Sequence, residues 1–208
     1  MTKINTNTNI VEDLEIENYR RTQKSLMNDI KGLIRKIKID SVLENERSFS
    51  KDNVPKHIKP LIKKYSKLGV ITGSSLLSMY GFSKTVGDLD LIVNTKNYEI
   101  IKNKYKIFNN DFYNNETDEY MGVLKDGDYK IDVFLDDSVI GEEKDGILVD
   151  SLSRTLTKKL ELYEKENRGK DFHTFHVVLK CMEDNIYITH HKNLQIFENF
   201  KNFFFSKS

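Results

Sequence analysis

The run Asp88-Leu89-Asp90-Leu91-Ile92-Val93 constrains this chain more than any other stretch. Successive side chains of a strand point to opposite faces. Leu89 and Leu91 need a core on one side, so Asp88 and Asp90 share the other. A later run, Ile131-Asp132-Val133-Phe134, repeats the pattern with Asp132 between apolar neighbours. Two such strands laid side by side bring three carboxylates onto one surface. Crowded like charges are costly unless a cation stands among them. Hard divalent ions such as Mg²⁺ or Mn²⁺ take carboxylate oxygens, and Mg²⁺ favours substrate phosphates as further ligands. Asp88, Asp90 and Asp132 are therefore the expected metal ligands and catalytic acids.

A second feature stands upstream. Val70 to Thr72 reads as a short strand, and Gly73-Ser74-Ser75 as a turn into the helix Leu76 to Tyr80. Glycine lets the backbone approach a phosphate, and a helix start offers free N–H groups to an anion. Gly73, Ser74 and Ser75 are thus expected at the phosphates of a nucleotide.

The remaining pattern places these motifs. The polar start, Met1 to about Glu12, reads as a tail. Leu26, Ile30, Leu33, Ile34 and Ile37 recur at helical spacing. Asp40 to Lys56 reads as a polar connection, and Pro60 suits the first turn of a helix. Glu119 to Leu124 and Tyr129 to Leu135 flank an Asp-Gly turn, a strong hairpin signal. Asp136 to Asp145 reads as an acidic loop, followed by a short apolar run, Ile147 to Val149. Helices carrying Leu152, Leu156 and Leu160, then Phe172 to Met182, then Phe197 to Phe204, complete the chain. The expected fold is α+β: a small mixed sheet with flanking N-terminal and C-terminal helices. Residues 1–56 form a tail and helical appendage, 57–150 the core and 151–208 a helical region.

Together Thr72-Gly73-Ser74, Asp88-Leu89-Asp90 and Asp132 resemble the signature of the DNA polymerase β-like nucleotidyltransferases. The stretch from Gly69 to Gly81, followed by Asp88-Leu89-Asp90, is similar to the abortive-infection type of nucleotidyltransferase toxins and their relatives. The resemblance spans about Leu61 to Cys181. It implies a nucleotidyltransferase fold, Mg²⁺ or Mn²⁺, and a nucleoside triphosphate (NTP) as substrate. It also implies that Lys158 or Lys159, and the pair Lys170-Asp171, contact the triphosphate or support the site. Lys84 stands where relatives often place Arg, and His173 and Thr174 stand where many place an acid.

Composition bounds the partners. Net charge is +1 over 208 residues, so no global field announces nucleic acid or membrane. The single cysteine, Cys181, excludes an internal disulfide. Met1 to Ile10 lacks a signal peptide's apolar core, and no apolar run approaches the roughly 20 residues of a membrane span. A cytoplasmic enzyme is expected, passing a nucleoside monophosphate from NTP to a hydroxyl on RNA, tRNA included, or on protein. The alternative is a catalytically weak binding module of the same fold. Such a module would be a nucleotide sensor, an antitoxin or a phage accessory protein, touching a protein partner through its terminal helices.

Overall fold

The computed structural model of the protein describes residues 6–36, 39–83, 86–108, 120–166, 177–183 and 191–205. Helices α1 (Thr6–Lys36) and α2 (Ile39–Glu46) lead through a 3₁₀ turn (Lys51–Asn53) to α3 (Lys59–Tyr65). Then come β1 (Val70–Thr72), α4 (Gly73–Met79), β2 (Leu89–Val93) and α5 (Thr95–Lys104). The strands β3 (Ile107–Phe108), β4 (Tyr120–Asp126), β5 (Tyr129–Leu135), β6 (Glu142–Lys144) and β7 (Ile147–Val149) follow. Helices α6 (Leu152–Glu166), α7 (177–183) and α8 (His191–Phe205) close the described chain.

The strands form a seven-stranded sheet in the order β3-β4-β5-β2-β1-β7-β6. At its centre β1 runs antiparallel to β2 and parallel to β7, and β2 runs parallel to β5. The architecture is α+β with a mixed sheet, but the sheet is larger than the small one expected. Edge strands add to both sides. β6 falls inside the stretch read as an acidic loop. Its turn into β7 is Asp145-Gly146, with φ of 51° and 76°, the two positive values a tight primed hairpin turn requires. An Asp-Gly pair at 145–146 carried the same signal that marks the β4–β5 hairpin. In that hairpin Asp126 pairs with Tyr129 around Gly127-Asp128, one residue later than the Asp-Gly reading centres it.

One face of the sheet is the core face. Ile71, Leu89, Leu91, Leu124, Ile131 and Val133 are fully buried on it. The same cluster takes in Met27, Ile30 and Leu33 of α1, Leu156 and Leu160 of α6, and Phe197 and Phe200 of α8. The terminal helices also meet directly, with Tyr19 stacked on Phe203 at 5.0 Å between ring centres. Two readings change here. α1 begins at Thr6, inside the stretch expected to be a tail. The connection from Asp40 holds a helix, α2, because Leu43 has a buried place in the core. Among the described residues no helix is long and apolar enough to cross a membrane.

This burial sets a contrast in stability. Leu91→Ala should cost about 2–5 kcal/mol, as buried truncations do. Leu148→Ala, at a side chain 40% exposed on the other face, should cost less than about 1 kcal/mol. Urea titration of both variants checks it.

Candidate metal centre

The parallel pairing of β2 with β5 sets Asp90 opposite Asp132. Paired residues share a face, so both carboxylates leave the sheet on the side away from Leu89, Leu91, Ile131 and Val133. Asp88 joins them from the bend that leads into β2. One carboxylate oxygen from each of the three lies within 4.8 Å of the others. Asp132 is buried, and Asp88 and Asp90 are half-buried. Every donor is a carboxylate oxygen, the set a hard divalent cation prefers, so the cluster can hold a metal ion.

The electrostatics express the same crowding. Burial first, then the charges of Asp88 and Asp132, push the Asp90 carboxyl up to about 7. Lys159 and the Ser74 N–H pull the other way. The turn after β1 is shaped around this carboxylate. Gly73 has φ +63°, and a Cβ on it would stand 1.9 Å from Asp90 Oδ2. Any other residue there meets both backbone strain and an atom already in place. The Ser74 N–H donates to the same Oδ2 at 3.3 Å. The turn thus lies against the Asp90 carboxylate.

Helix α6 supplies the counter-charge. Lys159 is buried and its Nζ donates to Ser74 Oγ at 3.1 Å. Lys158, one residue earlier, is 46% exposed and lies 3.9 Å from Glu161. Of the two lysines proposed for the site, Lys159 faces it and Lys158 faces solvent. Ser75 is also buried, and its hydroxyl donates to the Asp88 backbone oxygen at 3.2 Å. It braces the entry to β2 from inside the fold. Lys84, Lys170, Asp171, His173 and Thr174 lie outside the described residues.

A second polar layer went unread in the sequence. Thr72 Oγ1 donates to Asp150 Oδ2 at 2.8 Å and lies 3.1 Å from Thr155 Oγ1. Burial raises the Asp150 carboxyl, although Thr72, Arg154 and the Ser151 N–H stabilise its charge. Arg154 reaches Asp136 at 2.7 Å. Against burial, Ser138 and Arg154 hold the Asp136 carboxyl down at about 2. The Thr72 hydroxyl thus fixes the end of β1. An acid directly after the apolar run of β7 is the sequence signal for this layer.

No protein-family model matches the chain, and neither a curated protein nor a solved structure matches it significantly. The chemistry must therefore follow from the residues themselves.

The raised Asp90 carboxyl gives a pH test. Its folded value lies above the ordinary carboxylate value of about 3.9, so the folded state holds this proton more tightly than the unfolded chain does. Stability from Asp90 is full below about pH 4 and is lost as pH rises towards 7. Asp90→Asn keeps the shape and can still accept from Ser74. In EDTA, the melting temperature of Asp90→Asn relative to wild type should climb between pH 4 and 7, then level off. Parallel pH profiles would mean that Asp90 titrates normally.

Proposed function

We propose that the protein is a metal-dependent nucleotidyltransferase of the DNA polymerase β-like type. It moves a nucleoside monophosphate from NTP to an acceptor hydroxyl. The observation that carries this reading is the convergence of Asp88, Asp90 and Asp132 beside the Gly73-Ser74 turn, with Lys159 on the Ser74 hydroxyl. The pattern also supports the reading, since two acids separated by one residue and a third on the neighbouring strand fit a hard cation that also binds phosphate.

In this reading Asp88, Asp90 and Asp132 hold Mg²⁺ or Mn²⁺, which, when bound, supplies Lewis-acid neutralisation of phosphate charge. Lys159 and the Ser74 hydroxyl bind triphosphate oxygens. The lysine charge is held where negative charge builds on the leaving group. Asp132 takes the proton of the acceptor hydroxyl at a carboxylate oxygen. The acceptor oxygen then forms its bond to the α-phosphorus, the bond from that phosphorus to the bridging oxygen breaks, and pyrophosphate leaves. The acceptor is a hydroxyl of RNA, tRNA included, or of a protein side chain.

Two measurements test this. Mg²⁺ or Mn²⁺ with NTP at about a hundredfold over Kd should stabilise the wild type by about 2.7 kcal/mol. Asp90→Asn and Asp132→Asn should lose that gain, and Lys159→Met should lose most of it. Incubation with each α-labelled NTP and cell RNA or protein should label an acceptor and release pyrophosphate. Metal-dependent NTP binding without pyrophosphate release would instead indicate a binding module. No thermal shift with any NTP would sink the nucleotide site altogether.

A further inference from the structure

The face of the sheet that carries the aspartates does not end with them. Asp132 of β5 pairs with Val123 of β4, and Val123 pairs with Phe108 of β3. The next pair on the same face is Lys125 with Lys130. Lys106 precedes Phe108 by two residues and so shares this face. By strand spacing, Phe108 lies roughly 10 Å from Asp132 across two strands, and Lys130 lies roughly 7 Å from it along β5. Lys106, Lys125 and Lys130 are exposed, and Phe108 is 37% exposed.

Lys125 and Lys130 are like charges directly opposite each other, which destabilises a sheet. The Lys106 and Lys125 ammonium groups both sit 4.9 Å from the Phe108 ring centre. Three cations and an exposed aromatic ring thus share one strip, although the whole chain is nearly neutral. The nearby acid Asp126 lies on the opposite face, bound to Lys64 at 2.7 Å, and Asp128 sits in the turn beyond. Basic side chains interleaved with an exposed aromatic ring suit a flexible polyanion carrying bases.

We propose that the strip formed by Lys106, Phe108, Lys125 and Lys130 is a landing surface for single-stranded nucleic acid, leading its end to the three aspartates. The lysines take backbone phosphates. As they do, their ammonium groups leave the Phe108 ring, and a base stacks in their place. The assignment of that strand as the acceptor rests on the proposed nucleotidyl transfer. Binding itself does not.

The test is therefore made in EDTA without NTP. Anisotropy of a labelled mixed-sequence RNA oligonucleotide is followed between 50 and 300 mM NaCl. Wild type should bind, with affinity falling steeply with salt. Replacing Lys106, Lys125 and Lys130 together by Ala should weaken binding at least tenfold at low salt. It should also flatten the slope of log K against log salt by roughly two, since each single-strand phosphate contact contributes roughly 0.7. Arg at the same three positions should keep affinity within about threefold, because charge is retained. Phe108→Ala should cost about fivefold or more, and Phe108→Tyr should not. Circular dichroism checks folding, and Lys130→Glu alone serves if the triple variant fails to fold. No binding by wild type, or an unchanged salt slope in the Ala variant, overturns the proposal. Labelling of protein acceptors only, in the NTP assay above, overturns the assignment of the strand as acceptor. Because metal and NTP are absent, failure here leaves the thermal-shift test of the nucleotide site standing, and the reverse also holds.

Discussion

The parallel pairing of β2 with β5 is the constraint from which the rest follows. Asp90 opposite Asp132 is an unfavourable pair in itself. It persists because sliding either strand by one residue would turn Leu89, Leu91, Ile131 and Val133 out of the core. Burying each such side chain stabilises by roughly 1.5–3 kcal/mol. The apolar face therefore forces the acidic face. A cluster of like charge is held together by residues that never touch it.

The surrounding structure answers that forced charge from one direction. Lys159 and Arg154 belong to α6 and Asp150 to its entry, and through Ser74 and Thr72 they act on the turn between β1 and α4. β1 has only three residues, held between β2 and β7. The Asp150 N–H donates to the Ile71 carbonyl at 2.9 Å, and the Asp150 carboxylate accepts from Thr72. One residue thus ties down backbone and side chain together. The geometry of Gly73 and Ser74 is inherited from this anchor as much as from the turn itself.

Much of this was legible in the sequence. The strands of Asp90 and Asp132 show period-two alternation, and the Asp-Gly signal marks the β4–β5 hairpin one residue early. The choice between Lys158 and Lys159 was not legible, since both sit on one helix. It becomes so once Thr155 is known to face inward, because Lys159 lies one turn later on that face. The edge strands were missed for different reasons. β3 has two residues, too few to show alternation. β6 is Glu-Glu-Lys, polar on both faces and without an apolar signal. The basic strip escaped because net charge averages over the chain, whereas its lysines gather only when three strands are in register.

Lys159 and Ser74 are 85 residues apart. A chain emerging from the ribosome completes all three aspartates by the end of β5, before α6 exists. Contacts between distant segments form late, since the loop between them must first close. Through that interval the acids lack the lysine, and β1 lacks its anchor at Asp150. Assembly of the centre is thereby deferred to the docking of α6, and a nascent or truncated chain carries the acids without a finished site.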